Sequence, residues 1–292
     1  MNKLKIFCVI VIYNSKVSES VTFNNIVNVD MKNCYLIVVD NSVTDKIKNE
    51  NSAFCSIKER CYYVDSGGNV GLSKGLNIGI DYVYENFAIM DQDLIIQLND
   101  DTEVNEKYFF LLQERAEQDK DIDIFAPIIQ GQDGVYYSPA YNNFFKHKHI
   151  KTTQDNIPQK RFMCIASGTA ARKKVFDDYR FDEQIFMDLI DNNFCDDQRS
   201  FGRKFEKLNI VIQQNFALKN ADLTYERIQK RYRIWIPDFL MYCKKKPERL
   251  LAYIPAVAAR GIMLSGQCKN PRFFFWCVGY SVKMLFTRGC KR

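Results

Sequence analysis

The apolar run Leu94–Leu98 ends abruptly in three polar residues, Asn99, Asp100 and Asp101. An apolar run of this length between polar residues is typical of a buried strand. Open α/β sheets bind ligands outside the carboxyl ends of their strands, which is where these three side chains would lie. Their oxygens suit a hard divalent cation and the phosphates that it neutralises. The segment therefore predicts a nucleotide-diphosphate donor and a metal.

Three earlier apolar runs are each followed by polar residues in the same way. The runs are Ile6–Tyr13, Tyr35–Val39 and Cys61–Val64, and the polar residues that follow them are at 13–14, 40–42 and 65–69. Ser18–Val29 and Leu72–Tyr84 have the spacing of helices. Alternating strands and helices predict a mostly parallel sheet with right-handed crossovers. The expected fold class is therefore α/β.

The second half of the chain gives weaker patterns. Ile124–Ile129 predicts another strand, and a helix is expected near Arg172–Asp177. The segment Gly131–Pro158 is polar and aromatic without periodicity, which predicts a long loop. Phe181–Gly202 is a carboxylate-rich turn that enters a helix.

Charge divides the chain into two parts. The net charge of +6 consists of +13 for residues 227–292, which hold fifteen Lys/Arg and two acidic residues, and −7 for the remainder. We therefore expect a catalytic domain at 1–226 and a basic, aromatic, helical extension at 227–292.

The extension contains two apolar stretches, Leu250–Leu264 and Phe273–Phe286, that basic residues interrupt and flank. Neither reaches the ~20 residues needed to span a bilayer. Aromatic residues beside basic charge favour a membrane surface, where rings enter the acyl boundary and ammonium groups meet anionic lipid. The alternative is a helical pair packed on the catalytic domain.

Composition argues against several other classes of protein. The only two histidines, His147 and His149, lie in a basic polar segment, so neither a His-rich zinc site nor a Ser-His-Asp hydrolase is expected. None of the ten cysteines has Cys-x-x-Cys spacing, and Cys8 and Cys34 lie in apolar runs. The cysteines predict a reducing, cytoplasmic location. The basic, aromatic extension predicts that the protein is peripheral at the inner face of the membrane. The basic charge accompanies apolar segments without a nucleic-acid-binding motif, so no nucleic-acid partner is expected.

Six segments, in order, resemble the successive motifs of family 2 inverting glycosyltransferases. They are Val11–Asn14, Val38–Ser42, Gly68–Gly71 with Asn77, Leu98–Val104, Ser167–Thr169 and Phe181–Asp191. The last segment is most similar to the rhamnosyltransferase-like branch. The resemblance covers Lys5–Gly202 and implies a fold of the type called GT-A. It also implies an enzyme of polysaccharide biosynthesis that moves a sugar from a nucleotide donor to an acceptor with inversion.

The resemblance also implies roles for the donor-binding residues. Asp40 would hold the base of the nucleotide, with Tyr13 and Asn14 lining the same pocket. Asn69 and Lys74 lie where the family's second loop approaches the donor, and the Lys74 ammonium would neutralise phosphate. Taken alone, Asp40 is also consistent with a residue that caps a turn.

The resemblance implies further roles in metal binding and catalysis. Asn99 and Asp100 would contact the donor, and Asp101 would bind Mg²⁺ or Mn²⁺, which stabilises charge on the leaving diphosphate. Asp191 would be the general base for the acceptor hydroxyl. Asp188 is the alternative base, because residues three apart share one helix face. Taken alone, Asp101 fits an acidic residue near a helix N-terminus, and the two later aspartates fit a solvated acidic surface.

A second Asp-x-Asp pattern, Asp91-Gln92-Asp93, precedes the predicted strand Leu94–Leu98. It is common in the rhamnosyl branch. At this place it would lie at the amino end of the strand, away from the expected site. A strand at Phe87–Met90 would reverse the assignment.

Several positions depart from the family pattern. The family usually has an acidic residue where Asn193 stands and an arginine where Asp197 stands. No histidine follows His149, although the family often has one on the strand after this helix. Leu218-Lys219-Asn220 stands there instead, and Lys219 would supply positive charge in its place.

The donor and acceptor remain open at this point. Both dTDP-rhamnose and UDP-hexoses fit as donors, and the acceptor is expected to be a glycan or a lipid-linked acceptor. One alternative function is a catalytically silent nucleotide-sugar binder, which the departures after Asp191 leave open. Another is a nucleotidyltransferase, for which Tyr13-Asn14-Ser15-Lys16 would be a poor phosphate loop.

Overall fold

The computed structural model describes residues 4–216 and 224–287. These residues group into two compact units. The first consists of the described residues within Met1–Phe181 and Phe194–Phe216, and the second of those within Asp182–Asn193 and Ala217–Arg292.

Strands and helices alternate along the first part of the chain. The order is β1 (Ile6–Ile12), α1 (Val21–Val27), β2 (Cys34–Asp40), α2 (Asp45–Ser56), β3 (Cys61–Asp65), α3 (Leu72–Asn86), β4 (Leu94–Leu98), α4 (Glu106–Gln118) and β5 (Ile124–Gly131). The short strands β6 (Tyr136–Ser138), β7 (Ala140–Asn143), β8 (Lys146–His149) and β9 (Phe162–Met163) follow, and then β10 (Thr169–Arg172), α5 (Ile190–Ser200) and β11 (Phe205–Gln214).

The central sheet has the strand order β11-β5-β10-β4-β1-β2-β3, and β6 pairs with β5 at its margin. β1 is parallel to both β2 and β4, and β2 is parallel to β3. β10 runs antiparallel to β4 and β5. The mostly parallel α/β sheet is therefore confirmed, and its strand order reverses between β1 and β4.

Burial on both faces explains why the central strands of the sheet are continuous apolar runs. All five residues of β4 are buried, as expected for a strand covered on both faces. On one face α3 lies so close that a Cβ at Gly79 would be 2.4 Å from Val9 Cγ1 and 3.1 Å from Val39 Cγ2. Only glycine fits between the helix and the sheet at this position.

One local prediction is wrong. Gly131–Pro158 is not a plain loop: β7 pairs with β8 and with β9 in a separate three-stranded sheet. These strands of two to four residues are too short to show an apolar alternation in the sequence. The helix expected near Arg172–Asp177 is present as a four-residue 3-10 helix, Lys173–Phe176, which begins after Arg172 ends β10.

The second unit contains three long helices, α6 (Tyr225–Lys244), α7 (Pro247–Gln267) and α8 (Arg272–Phe286). Each has a buried stripe, formed on α7 by Tyr253, Val257 and Leu264 and on α8 by Phe273, Cys277 and Met284. A Cβ at Gly261 would lie 3.4 Å from Cys277 Cβ, so α7 and α8 pack closely. Within 4–216 and 224–287, no helix is long and apolar enough to pass through a bilayer.

Candidate active site

The carboxyl ends of β1 and β4 flank the point where the strand order reverses. Open α/β sheets bind ligands at such a switch point. Tyr13, Asn14 and Ser15 follow β1, and Asn99 begins the segment after β4. The Ser15 Oγ and one Asp100 carboxylate oxygen lie 3.5 Å apart. The structure thus brings the segments after β1 and β4 together.

Asn14 joins the ends of β1 and β2. Its backbone adopts the left-handed conformation, with φ of 49°, which asparagine tolerates better than most residues. Its N–H donates to Ser42 Oγ at 2.9 Å, and its side-chain oxygen accepts from the Val43 N–H at 3.1 Å. Both Tyr13 and Asn14 are exposed. They are therefore accessible to a ligand at this edge.

Asp40, at the end of β2, is fully buried. One carboxylate oxygen accepts from the Ser42 N–H at 2.8 Å. The other accepts from the Asn51 amide at 2.9 Å and from the Tyr63 hydroxyl at 3.2 Å. Burial, and then the negative charge of Asp40, raise the pKa of Tyr63, so the phenol keeps its proton. The carboxylate thus ties together the end of β2, α2 and β3.

Asn69 and Lys74 lie around the start of α3, and both side chains are exposed. Gly71 precedes the helix with a φ of 87°, which favours glycine. The Gly71 carbonyl accepts from the Asn41 amide at 2.9 Å, which fixes the loop to the end of β2. A helix N-terminus presents backbone N–H groups and positive potential, which suit a phosphate.

Hydrogen bonds hold the turn after β4 in place. The Asn99 amide donates to Ser167 Oγ at 2.9 Å, and Ser20 Oγ donates to the Asp100 carbonyl at 2.9 Å. An Asp101 carboxylate oxygen accepts from the Gln214 amide at 2.9 Å. Because β10 is antiparallel, its amino end lies at this edge, which is how Ser167 reaches Asn99.

The carboxylates of Asp100 and Asp101 are half-buried neighbours. Burial raises the pKa of both, and the charge of Asp100 raises that of Asp101 further. Within residues 4–216 and 224–287, no ion pair joins either carboxylate to a basic side chain. Two adjacent acids without a cation fit a divalent metal ion. The described residues contain no group of three or more His, Cys, Asp or Glu able to hold a metal.

The competing Asp91-Gln92-Asp93 motif lies at the other edge of the sheet, since β4 is Leu94–Leu98 as predicted. Asp93 is fully buried and accepts from the backbone N–H groups of Lys5 at 2.9 Å and Met90 at 2.8 Å. The Asp91 carboxylate is 3.3 Å from the Lys173 ammonium. Both residues have structural partners away from the switch point.

The second unit contains both candidate bases. Asp191 is half-buried in the first turn of α5. The Asp188 carboxylate accepts from both terminal nitrogens of the Arg231 guanidinium, one on each oxygen. Burial raises the pKa of Asp188, and Arg231 opposes that shift. Asp188 is therefore held at both of its oxygens.

Asp238 on α6 holds the turn before these aspartates. It is fully buried, and its carboxylate accepts from the backbone N–H groups of Phe186, Met187 and Asp188, each at 2.9 Å. Asp238 is not among the site residues predicted from the sequence. Its signal was present, because Asp238 is one of only two acidic residues in the basic extension.

Of the positions that depart from the family pattern, Asn193 is buried and Asp197 is half-buried, both on α5. Lys219, predicted to supply positive charge, is outside the described residues.

Comparison with known proteins identifies the family. A family model described as glycosyl transferase family 2 matches residues 7–180. The chain is 29% identical over 194 residues to the dTDP-rhamnosyl transferase RfbF of Shigella flexneri. The match covers 65% of this chain and 62% of RfbF, so the chain spans less than two thirds of the length of RfbF. It is 30% identical over 226 residues to the low-salt glycan biosynthesis hexosyltransferase Agl10 of Haloferax volcanii, covering 72% of this chain and 69% of Agl10.

Solved structures identify the fold. The mannosyltransferase PcManGT of Pyrobaculum calidifontis, in complex with GDP-Man and Mn²⁺, matches 98% of this chain and 88% of its own with a TM-score of 0.59 and 12% identity. Residues 1–349 of TarS from S. aureus match with a TM-score of 0.50 and 13% identity, covering 98% of this chain and 93% of that chain. The fold is the GT-A glycosyltransferase fold, followed by a helical region. Since the family model matches more than half of the residues of this chain, the chain belongs to glycosyl transferase family 2.

Proposed function

We propose that the protein transfers a sugar from a nucleotide-diphosphate donor to an acceptor hydroxyl with inversion at the anomeric carbon. The observation that carries this proposal is the pair of adjacent acids, Asp100 and Asp101, beside the switch point between β1 and β4. The name of RfbF favours dTDP-rhamnose as the donor, and that of Agl10 favours a hexosyl donor such as a UDP-sugar. Solved complexes of PcManGT with GDP-Man and of TarS with UDP-GlcNAc support a nucleotide sugar.

In this proposal the donor lies along the ends of the parallel strands. Tyr13 and Asn14 line the pocket for the nucleotide base, supported by their exposure at the end of β1. Asp40 is the proposed residue that holds the base, and through Ser42 it also fixes the loop that presents Asn14. Asn69 and Lys74 approach the donor groups beside the N-terminus of α3, where positive potential favours phosphate.

Asp101 would bind the metal, with Asn99 and Asp100 contacting the donor beside it. A Mg²⁺ or Mn²⁺ ion there would stabilise negative charge on the leaving diphosphate. The Mn²⁺ bound in the PcManGT complex supports this assignment. Gln214 positions Asp101 through its amide, since it donates to one of the carboxylate oxygens.

We propose Asp191 as the general base. The acceptor oxygen attacks the anomeric carbon, the bond from that carbon to the diphosphate oxygen breaks, and the acceptor proton passes to the Asp191 carboxylate. The ion pair of Asp188 with Arg231 supports this choice. Both oxygens of Asp188 already accept hydrogen bonds from the Arg231 guanidinium, so an acceptor hydroxyl would have to compete with Arg231 for this carboxylate.

The proposed acceptor is a glycan or a lipid-linked sugar, used in polysaccharide biosynthesis at the cytoplasmic face of the membrane. The glycan biosynthesis named for Agl10 supports the first part of this proposal. The charge of +13 in residues 227–292 supports the second, because it favours an anionic membrane surface.

A donor panel tests the proposal. Nucleotide sugars are added with and without Mn²⁺, and the melting temperature is measured, since a ligand that binds the native state raises it. Donors that bind are then tested for sugar transfer and hydrolysis. We expect Asp191→Asn to lower turnover by roughly 10²–10⁴-fold while donor-induced stabilisation remains.

Asp121→Asn, an exposed aspartate paired with Lys204 at the surface, is the matched control and should keep full turnover. Binding without turnover in the wild type would instead support a silent nucleotide-sugar binder. Release of pyrophosphate from a nucleoside triphosphate would support a nucleotidyltransferase. Full activity in Asp191→Asn would remove that residue from the mechanism.

A further inference from the structure

From Leu251 onward, after the acidic first turn with Glu248, the outward face of α7 is apolar. Leu251, Pro255, Ala258 and Ile262 are spaced four, three and four residues apart, which places them on one side of the helix. Leu251 is 84% exposed and Ile262 is 63% exposed. The buried stripe of α7 lies on the opposite side, so packing within the second unit does not account for these side chains.

The outward face of α8 repeats the same spacing. Phe275, Gly279, Val282 and Phe286 are again four, three and four residues apart. Phe275 is 72% exposed and Phe286 is 83% exposed. Phenylalanine side chains exposed to this degree on one face are unusual for a surface that remains in water, and such patches mark interaction sites.

The outward face of α6 has a different character. Arg227, Lys230 and Arg233 are exposed there, at the spacing of one helix side. The apolar surface is therefore confined to α7 and α8 and is not a general property of the second unit.

Basic residues border the two apolar faces. Lys244 and Lys246 lie directly before α7, and Lys269 and Arg272 lie where α7 ends and α8 begins. All four are exposed. Long basic side chains at the margins of an apolar face can extend towards phosphate groups while the apolar residues enter a less polar phase.

We propose that the outward faces of α7 and α8 dock the protein onto an anionic lipid surface. Leu251, Ile262, Phe275 and Phe286 enter the boundary between headgroups and acyl chains, and the bordering lysines and arginine contact lipid phosphates. The helices lie on the membrane and do not cross it. This deepens the proposed function, since it names the surface on which a lipid-linked acceptor would be met.

Charge favours lipid over a second copy of the chain. In a symmetric dimer the same patch faces itself, so these faces and their basic borders would lie against each other. Like charges placed together disfavour association, whereas an anionic bilayer complements them.

The test is vesicle co-sedimentation of the full chain without any nucleotide sugar, so its outcome is independent of the proposed enzymatic activity. Phosphatidylcholine vesicles are compared with vesicles that also contain phosphatidylglycerol. We expect binding to the anionic vesicles that weakens as salt increases. Leu251→Glu combined with Phe275→Glu should lower the bound fraction at least about tenfold, because both charges would enter the apolar boundary.

The matched control is Ile57→Glu combined with Phe110→Glu in the first unit, where the two side chains are 76% and 53% exposed. It makes the same chemical change and should bind like the wild type. Replacing Lys269 and Arg272 by glutamine should reduce the preference for anionic lipid. Equal binding by the two double variants would overturn the proposal.

A measurement on the wild type keeps the proposal testable if the α7–α8 variant does not fold. Trp276 lies on α8, and Trp235 on α6 is the only other tryptophan. Anionic vesicles with brominated acyl chains should quench the tryptophan fluorescence. Unchanged fluorescence would refute lipid docking. So would a wild-type protein that binds no vesicles and forms a dimer that the α7–α8 variant converts to a monomer.

Discussion

Replacing Asp238 by asparagine should loosen the turn that precedes the two candidate bases. Asp238 is fully buried, and its two oxygens accept from the N–H groups of Phe186, Met187 and Asp188. Asparagine has nearly the same shape but only one acceptor oxygen. It can keep two of these bonds at most, and its amide NH₂ then faces the third N–H.

The cost follows from the number and type of bonds. A hydrogen bond to a charged group contributes about 1.5–3 kcal/mol, and a buried N–H left without an acceptor costs about 1–3 kcal/mol. Since Asp238 is not exposed, solvent does not reduce these values. We expect opening of the turn to become easier by about 3 kcal/mol, which corresponds to roughly 100-fold at about 1.4 kcal/mol per tenfold change.

Amide hydrogen exchange measures this directly and needs no substrate. The amides of Phe186, Met187 and Asp188 should exchange roughly 100-fold faster in Asp238→Asn, as expected when local opening is easier. Glu226→Gln removes the same charge from an exposed position on α6 and should leave these amides unchanged. Wild-type exchange rates in Asp238→Asn would refute the assignment, as would equal acceleration in the control.

Three further predictions concern the first unit and a glycine control. Gly79→Ala should cost about 1–3 kcal/mol through overpacking against the sheet, measured by thermal denaturation, whereas Gly266→Ala, with no atom within 4 Å of its Cβ, should not destabilise. Asn51→Ala should cost about 1–3 kcal/mol by removing a partner of buried Asp40; an unchanged urea midpoint would contradict this. Burial raises the pKa of Asp101, so under the proposed role of Asp101 as a metal ligand, protons would compete with Mn²⁺ at higher pH than at an ordinary aspartate. Mn²⁺-induced stabilisation should therefore weaken on acidification, and Asp101→Asn should lose it at every pH.

The part of the fold that the sequence predicts well is the parallel sheet. Leu94–Leu98 has the predicted boundaries because five apolar residues stand between charged and polar neighbours. The sequence also predicts that the donor-binding residues lie at one edge of the sheet, because parallel strands bring their carboxyl ends together. Tertiary pairing with remote residues, by contrast, leaves no local pattern: β7 finds its partner β9 beyond β8, and neither strand exceeds four residues.

The partners of the site residues were harder to foresee for the same reason. The place of Asp40 directly after an apolar run marks it in the sequence. Its partners Asn51 and Tyr63, however, lie on a helix and a strand further along the chain. Nothing in their sequence neighbourhoods marks either residue. Arg231 and Asp238 are likewise remote in sequence from the turn that they hold. Arg231 lies 43 residues from its partner Asp188, and Asp238 lies 52 residues from Phe186, whose N–H donates to it.

The direction of β10 has a consequence for how proteins with this sheet can diverge. β5 ends at Gly131, and the chain re-enters the sheet at Thr169 from that same edge, because β10 runs antiparallel to β5. Apart from β6, which pairs with β5 at the margin of the sheet, the segment between these two points departs from one side of the sheet and returns to the same side. Such a segment can grow, shrink or be exchanged without shifting the register of any central strand, so this edge can be remodelled during evolution while the core stays unchanged.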